Sequence, residues 1–154
     1  MSAQRRKRLL FGWTLVLLMA IAVLVLTPSL AVIRPVNGLD FPIGTLTTWL
    51  GFVALPSVLF YAIPSLHARS TGRVRVYRRL FIMCIVLGCL WGIGGYLLAG
   101  NWAYNFSGNS PAFQGSAEAG VWFMRLTYGI AVLTLSVAML YGLHELLCRV
   151  IKRR

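Results

Sequence analysis

Acidic side chains are almost absent from this chain. Its 154 residues include only three of them, Asp40, Glu118 and Glu145, against fifteen lysines and arginines. The three acids are far apart in the sequence, so no paired carboxylates are available for general acid–base catalysis. No series of buried acids crosses an apolar segment, as it does in proton-coupled carriers. We therefore expect neither an independent enzyme nor a proton-driven carrier.

Histidine and cysteine are also scarce, with two histidines and three cysteines. The sequence has no Cys-x-x-Cys, no His-Glu-x-x-His and no phosphate-binding glycine loop. Cys84 and Cys89 fall inside an apolar segment and Cys148 lies among terminal basic residues, so the cysteines form no disulfide framework. We predict no metal site and no cofactor on this evidence.

Long hydrophobic runs are what the chain does have. Hydrophobic residues make up 58% of it and charged residues 12%, whereas soluble domains contain about 25% charged residues. A helix needs about 20 apolar residues to cross a bilayer, and the first run is longer than the apolar core of a signal peptide. The sequence therefore predicts an all-α integral membrane protein, a single four-helix transmembrane domain over residues 1–154. The predicted spans are about 9–31, 43–66, 80–99 and 120–147.

The distribution of positive charge predicts the topology. Four basic residues precede the first span, five lie in the segment 67–79 and four end the chain, which leaves only Arg34 and Arg125 elsewhere. Because cytoplasmic loops carry the excess of lysine and arginine, we predict two hairpins with both termini cytoplasmic. The segment 67–79 is then a cytoplasmic basic loop and 100–119 an outer loop. The localisation that we expect is a bacterial inner membrane, and the flanking position of the charges argues against nucleic acid.

Small residues recur along the third span. Cys84, Gly88 and Gly92 are spaced every four residues, and Gly95 and Ala99 form a second row. Such rows let helix backbones approach closely in lipid, where packing drives association. The pattern predicts that the third span is the central packing helix, either within the chain or against a partner.

Charged residues near the outer boundary are candidate contacts for a ligand or a partner. Arg125 lies about one turn inside the fourth span, Glu118 precedes it on the same helical face, and Arg34 lies in the first outer turn. An ionisable residue within a span suggests function. Arg125 could instead extend towards the interface or pair with Glu118.

The cytoplasmic ends of the helices carry two further candidates. His67 and His144 fall at similar depth, so two neutral imidazoles could ligate a haem iron, or each could be a polar residue at a helix end. The arginines of the basic loop are placed to contact anionic lipid headgroups, at about 1 kcal/mol each. They are Arg69, Arg73, Arg75, Arg78 and Arg79.

Together these features favour a small non-catalytic subunit that assembles, anchors or stabilises a larger membrane complex. Its partners would be other integral membrane subunits, in a hetero-complex or a homo-oligomer. The alternative is a small component of a transporter or an oligomeric pore, because the four-helix layout resembles that of the small membrane subunits of tripartite carboxylate transporters. A haem- or quinone-binding redox subunit is a further alternative.

Overall fold

The computed structural model describes residues 3–26, 43–67, 72–102 and 114–152. This part of the chain contains helices and no strand, which confirms the all-helical prediction. The elements are helix α1 (Ala3–Leu26), helix α2 (Ile43–Ala62), a 3-10 turn (Pro64–His67), helix α3 (Gly72–Ala99) and helix α4 (Ala117–Lys152).

Three stretches of helix are long and apolar enough to cross a membrane: Ile43–Ala62, Gly72–Ala99 and Ala117–Ile151. Helices of this length and composition indicate a membrane protein. In α1 the apolar part that the structure describes, Arg8–Val23, is shorter. The predicted first span continues to residue 31, and residues 27–42 lie outside the described part.

Each helix packs mainly against its neighbour in sequence: α1 on α2, α2 on α3, and α3 on α4. The contact between α2 and α4 is much smaller. One buried cluster joins Leu66, Phe81, Cys84 and Tyr141 near the start of α3. A second joins Trp91, Ala99, Phe123 and Ile130 towards its end. We call the end with the first cluster the basic end of the bundle, because the arginines at the start of α3 lie there.

The basic segment 67–79 differs from the predicted loop. Helix α3 begins at Gly72 rather than near residue 80, so the arginines from Arg73 to Arg79 lie on its first two turns. No proline follows Gly72 for the rest of the helix, and arginine has a high helix propensity. The helix therefore continues beyond its apolar run.

Pro56 lies buried inside α2 and explains how α3 packs there. Proline has no N–H, so the carbonyl of Phe52, four residues earlier, loses its usual donor within the helix. The backbone of Gly88 lies against this carbonyl, and a built Cβ on Gly88 would collide with it. The hydroxyl of Ser57 donates to the next carbonyl, that of Val53, at 2.7 Å. A glycine on the neighbouring helix thus covers the carbonyl that the proline leaves unpaired, away from lipid.

The rest of the small-residue pattern also faces the protein interior. A Cβ on Gly92 would collide with the ring of Trp49, and the indole of Trp49 donates to the carbonyl of Cys89 at 3.0 Å. Cys84, Gly95 and Ala99 are buried as well. Of the two arrangements that the sequence left open, the structure shows Gly88 and Gly92 packing within the chain, on α2.

Candidate functional site

Polar side chains meet at the basic end, between the 3-10 turn and the last turns of α4. The hydroxyl of Tyr141 donates to Glu145 Oε1 at 2.8 Å and is also hydrogen bonded to the hydroxyl of Ser65. A tyrosine has one hydroxyl proton, so Ser65 is the donor in the second bond. Arg149 Nε lies 3.9 Å from Glu145 Oε2. This chain of contacts fastens the end of α2 to α4.

Aromatic rings on α3 complete this group. The ring of Tyr77 packs edge-on against Tyr141, with centroids 5.3 Å apart, and lies 5.6 Å from the ring of His144. His144 Nε2 is 3.7 Å from the sulfur of Cys148. We call Ser65, Tyr77, Tyr141, His144 and Glu145 the basic-end cluster. The sequence did not indicate this cluster as a whole, although the spacing of four from Tyr141 to Glu145 and on to Arg149 predicts contacts along one helix.

The haem hypothesis depends on two histidines, and the structure describes the side chain of one. His144 is half-buried, and its Nδ1 has no hydrogen-bond partner among the described residues. The side chain of His67 lies outside the described part. A bis-histidine site therefore stays a prediction, and an absorption spectrum of the purified protein without a Soret band would exclude it.

Arg125 lies near the other end of α4 and on its surface. The guanidinium carbon is 5.1 Å from the centroid of the Trp122 ring. The structure forms no ion pair between Arg125 and the exposed Glu118, and the single ion pair among the described residues joins Glu145 and Arg149. Helical side chains lean towards the N-terminus, so the side chain of Arg125 reaches Trp122, three residues earlier, more readily than Glu118, seven residues earlier. Arg34 lies outside the described residues.

The direction of Arg125 decides what it can contact. Thr134, Val137 and Tyr141 are among the buried residues of α4 that define its packing face. At 100° per residue, Arg125 points away from that face, and Val132 and Met139 on the same side are 61% and 75% exposed. Arg125 therefore does not point into the interior of the helix bundle.

The arginines of α3 also lie on an exposed side. Arg75, Arg78 and Arg79 are exposed and share a helical face with the apolar residues Ile82 and Val86, which are 43% and 50% exposed. The opposite face carries the buried residues of α3. Arg73 is exposed as well, and Arg69 lies outside the described part.

Aromatic residues cluster at the end of the bundle opposite the basic end. Trp102 stacks on Tyr96, with centroids 4.5 Å apart, and on Trp49 at 6.2 Å. Its carbonyl accepts a bond from the Thr45 hydroxyl at 3.1 Å. Through these contacts Trp102 joins α2 to the end of α3.

Comparison of the chain with protein-family models, with curated proteins and with solved structures finds no match. Within the described residues, no three histidine, cysteine or acidic side chains come together as a metal site would require. Some polar contacts there join separate elements, such as those of Tyr141 with Ser65 and of Trp91 with Thr127. Chemically, the basic-end cluster is an arrangement for holding α2, α3 and α4 together, and Arg125 is a cation presented to the surroundings.

Proposed function

We propose that this chain is a small non-catalytic subunit that assembles, anchors or stabilises a larger complex in a bacterial inner membrane. The observation that carries the proposal is the exposure of α4. Only 22% of the most apolar part of its candidate span is buried within the chain, compared with 39% for α2. The uncovered side carries Arg125, a charged residue that membrane proteins normally direct towards protein or water.

The interior polar contacts support a structural role. Trp91 Nε1 donates to Thr127 Oγ1 at 2.9 Å, and Thr127 in turn donates to the carbonyl of Phe123 at 2.9 Å. The first of these bonds joins α3 to α4, and in lipid a bond of this kind between helices contributes about 0.6–2 kcal/mol. The second lies within α4. These polar side chains are thus engaged in holding helices together.

The proposed topology is four spans with both termini cytoplasmic. Most of helix α1 would lie in the first predicted span, residues 9–31. An even number of spans places the termini on one side, where 13 of the 15 basic residues then lie. The exposed arginines of α3 would contact anionic headgroups, since they share a face with residues suited to lipid chains.

The test is the mass of the particle that contains the chain in its own membranes. The tagged full-length protein is extracted in mild detergent from cells that express it at its natural level, and its mass is measured by light scattering. We expect a particle heavier than the 17.1 kDa chain, with other integral membrane proteins in constant proportion. A monodisperse monomer without a co-eluting partner would contradict the proposal.

A transporter component is the second candidate, and the direction of Arg125 bears on it. Because Arg125 points out of the bundle, a solute path that uses it would lie between this chain and another. Flux of small carboxylates through liposomes distinguishes the cases. Flux with the purified chain alone supports an oligomeric pore, whereas flux that requires the co-purified partner supports an accessory subunit of a transporter.

A further inference from the structure

The exposed face of α4 combines three kinds of residue. We define it by Trp122, Arg125, Gly129, Val132, Ser136 and Met139, which lie within a narrow angular range on the side away from α3. It offers a cation with an aromatic ring against it, two small residues deeper along the helix, and the apolar side chains of Val132 and Met139. A Cβ built on Gly129 would meet no atom within 4 Å.

Lipid chains suffice to cover the apolar residues of this face, but not its charge. The guanidinium of Arg125 carries five N–H donors. Its one polar or cation–π contact in the described part of the chain is with the Trp122 ring, which leaves the edge of the guanidinium available. The depth of Arg125 follows from the next residue, Leu126, which packs against Gly94 of α3. Its side chain would lie 3.1 Å from a Cβ built on Gly94. Gly94 is five residues before the end of α3, about 7.5 Å along the axis, so Arg125 lies below that end of the bundle.

A second copy of this chain is a poor occupant of the face. A two-fold axis parallel to α4 would bring the same patch of both copies together, and would place Arg125 against Arg125. The nearest acid on the same side, Glu118, is seven residues away, or about 10 Å along the axis. Like charges brought together within an interface oppose association.

We propose that the exposed face of α4 docks a transmembrane helix of a different protein, one that carries an aspartate or glutamate at the depth of Arg125. The carboxylate would accept two parallel N–H bonds from the guanidinium, the geometry for which arginine is suited. Trp122 would cover one side of the pair. Gly129 and Ser136 would let the partner backbone approach closely, as small residues do between helices in lipid. This inference rests on the proposed function and names the chemistry of the partner.

The experiment uses the full-length chain in phosphatidylcholine vesicles and a leucine-rich transmembrane peptide as the probe. The peptide carries an aspartate about one turn from each end, so that its orientation does not matter, and a matched peptide carries asparagine there. Association is measured by energy transfer from a dye on the chain. We expect the aspartate peptide to bind about tenfold more tightly, because charge-assisted bonds exceed neutral ones by about 1–2 kcal/mol.

Substitutions in the chain test whether Arg125 causes the preference for the aspartate peptide. Arg125→Gln should remove it, and Arg125→Lys should retain part of it because the charge remains. Arg149→Gln is the matched control, since Arg149 is an exposed arginine at the other end of α4, and it should leave the preference unchanged. Tryptophan fluorescence verifies that each variant is folded.

Two results would overturn the proposal. Equal binding of the two peptides to the native chain would show that Arg125 does not select a carboxylate. Loss of the preference when phosphatidylglycerol is added would show that Arg125 binds lipid phosphate instead. The proposed function is tested separately. If the native complex remains intact with Arg125→Gln, the proposed function stands and docking at this face is refuted. If the native protein is a monomer, the proposed function itself is refuted.

Discussion

Replacing Gly88 with alanine would place a methyl group against the carbonyl of Phe52, which Pro56 deprives of its donor. The built Cβ lies 2.8 Å from the carbonyl carbon of Phe52 and 3.2 Å from the nitrogen of Val53, and it lies still closer to the carbonyl oxygen. These are backbone atoms inside a helix, so no side-chain rotation relieves the overlap. Helices α2 and α3 have to move apart.

The size of the effect follows from these distances. Carbon atoms pack best at about 3.5–4.0 Å, so the helices would separate by at least about 0.7 Å, and each affected contact would lose a quarter to a half of its attraction. Overpacking of this kind costs about 1–3 kcal/mol, and the better helix propensity of alanine offsets up to about 1 kcal/mol of it. We expect the free energy of unfolding to fall by about 1–2 kcal/mol.

The assay is reversible unfolding of the purified protein in mixed micelles with increasing dodecyl sulfate. Tryptophan fluorescence reports the change, because the ring of Trp91 packs against that of Phe52 at 5.0 Å. Gly142→Ala is the matched control, since a Cβ there meets no atom within 4 Å. It should be neutral or slightly stabilising. If Gly88→Ala proved as stable as Gly142→Ala, the close packing of α3 on the Phe52 carbonyl would be refuted.

Three further predictions concern the basic end of the bundle. Tyr141→Phe loses two hydroxyl hydrogen bonds but keeps the ring, so the same assay should show the free energy of unfolding falling by about 1–3 kcal/mol. Tyr128→Phe on the exposed side is the control and should change it little. Equal effects of the two substitutions would contradict the hydrogen bonds at Tyr141. Changing Arg78 and Arg79 together to glutamine should weaken binding of the reconstituted protein to anionic lipid, measured by the phosphatidylglycerol that co-purifies, and the loss should shrink at high salt. An unchanged lipid content would show that these arginines only set topology. Protease should cut the basic segment 67–79 from the cytoplasmic side alone, and cutting of intact cells from outside would reverse the proposed orientation.

The inner arrangement of the helices was only partly predictable. The four-residue spacing of Cys84, Gly88 and Gly92 identified α3 as a packing helix, because that spacing keeps small residues on one face. It left the partner open. In the structure the partner is α2, where Pro56 leaves the carbonyl of Phe52 without its helical donor and only glycine can approach that carbonyl so closely. A sequence pattern within one helix cannot specify which other helix it contacts.

The candidate sites show the same division. Arg125 was identified from its position within an apolar run, and the sequence left two structural alternatives open, extension towards the interface or a pair with Glu118. In the structure Arg125 contacts the ring of Trp122 instead, and both side chains point away from the bundle. His144 was identified as a helix-end residue, whereas its neighbours Tyr77 and Tyr141 depend on how α3 and α4 cross.

The sequence by itself determined the helical class, the membrane-spanning length of three helices and the concentration of positive charge in three segments. These follow from local composition, since the length of an apolar run and the charges at its ends are properties of a continuous segment. Only the tertiary structure decided that Gly88 covers the Phe52 carbonyl, that Ser65 and Tyr141 meet, and that Arg125 points outward. Those facts depend on the rotation of each helix about its axis, which many contacts between residues far apart in the sequence set together.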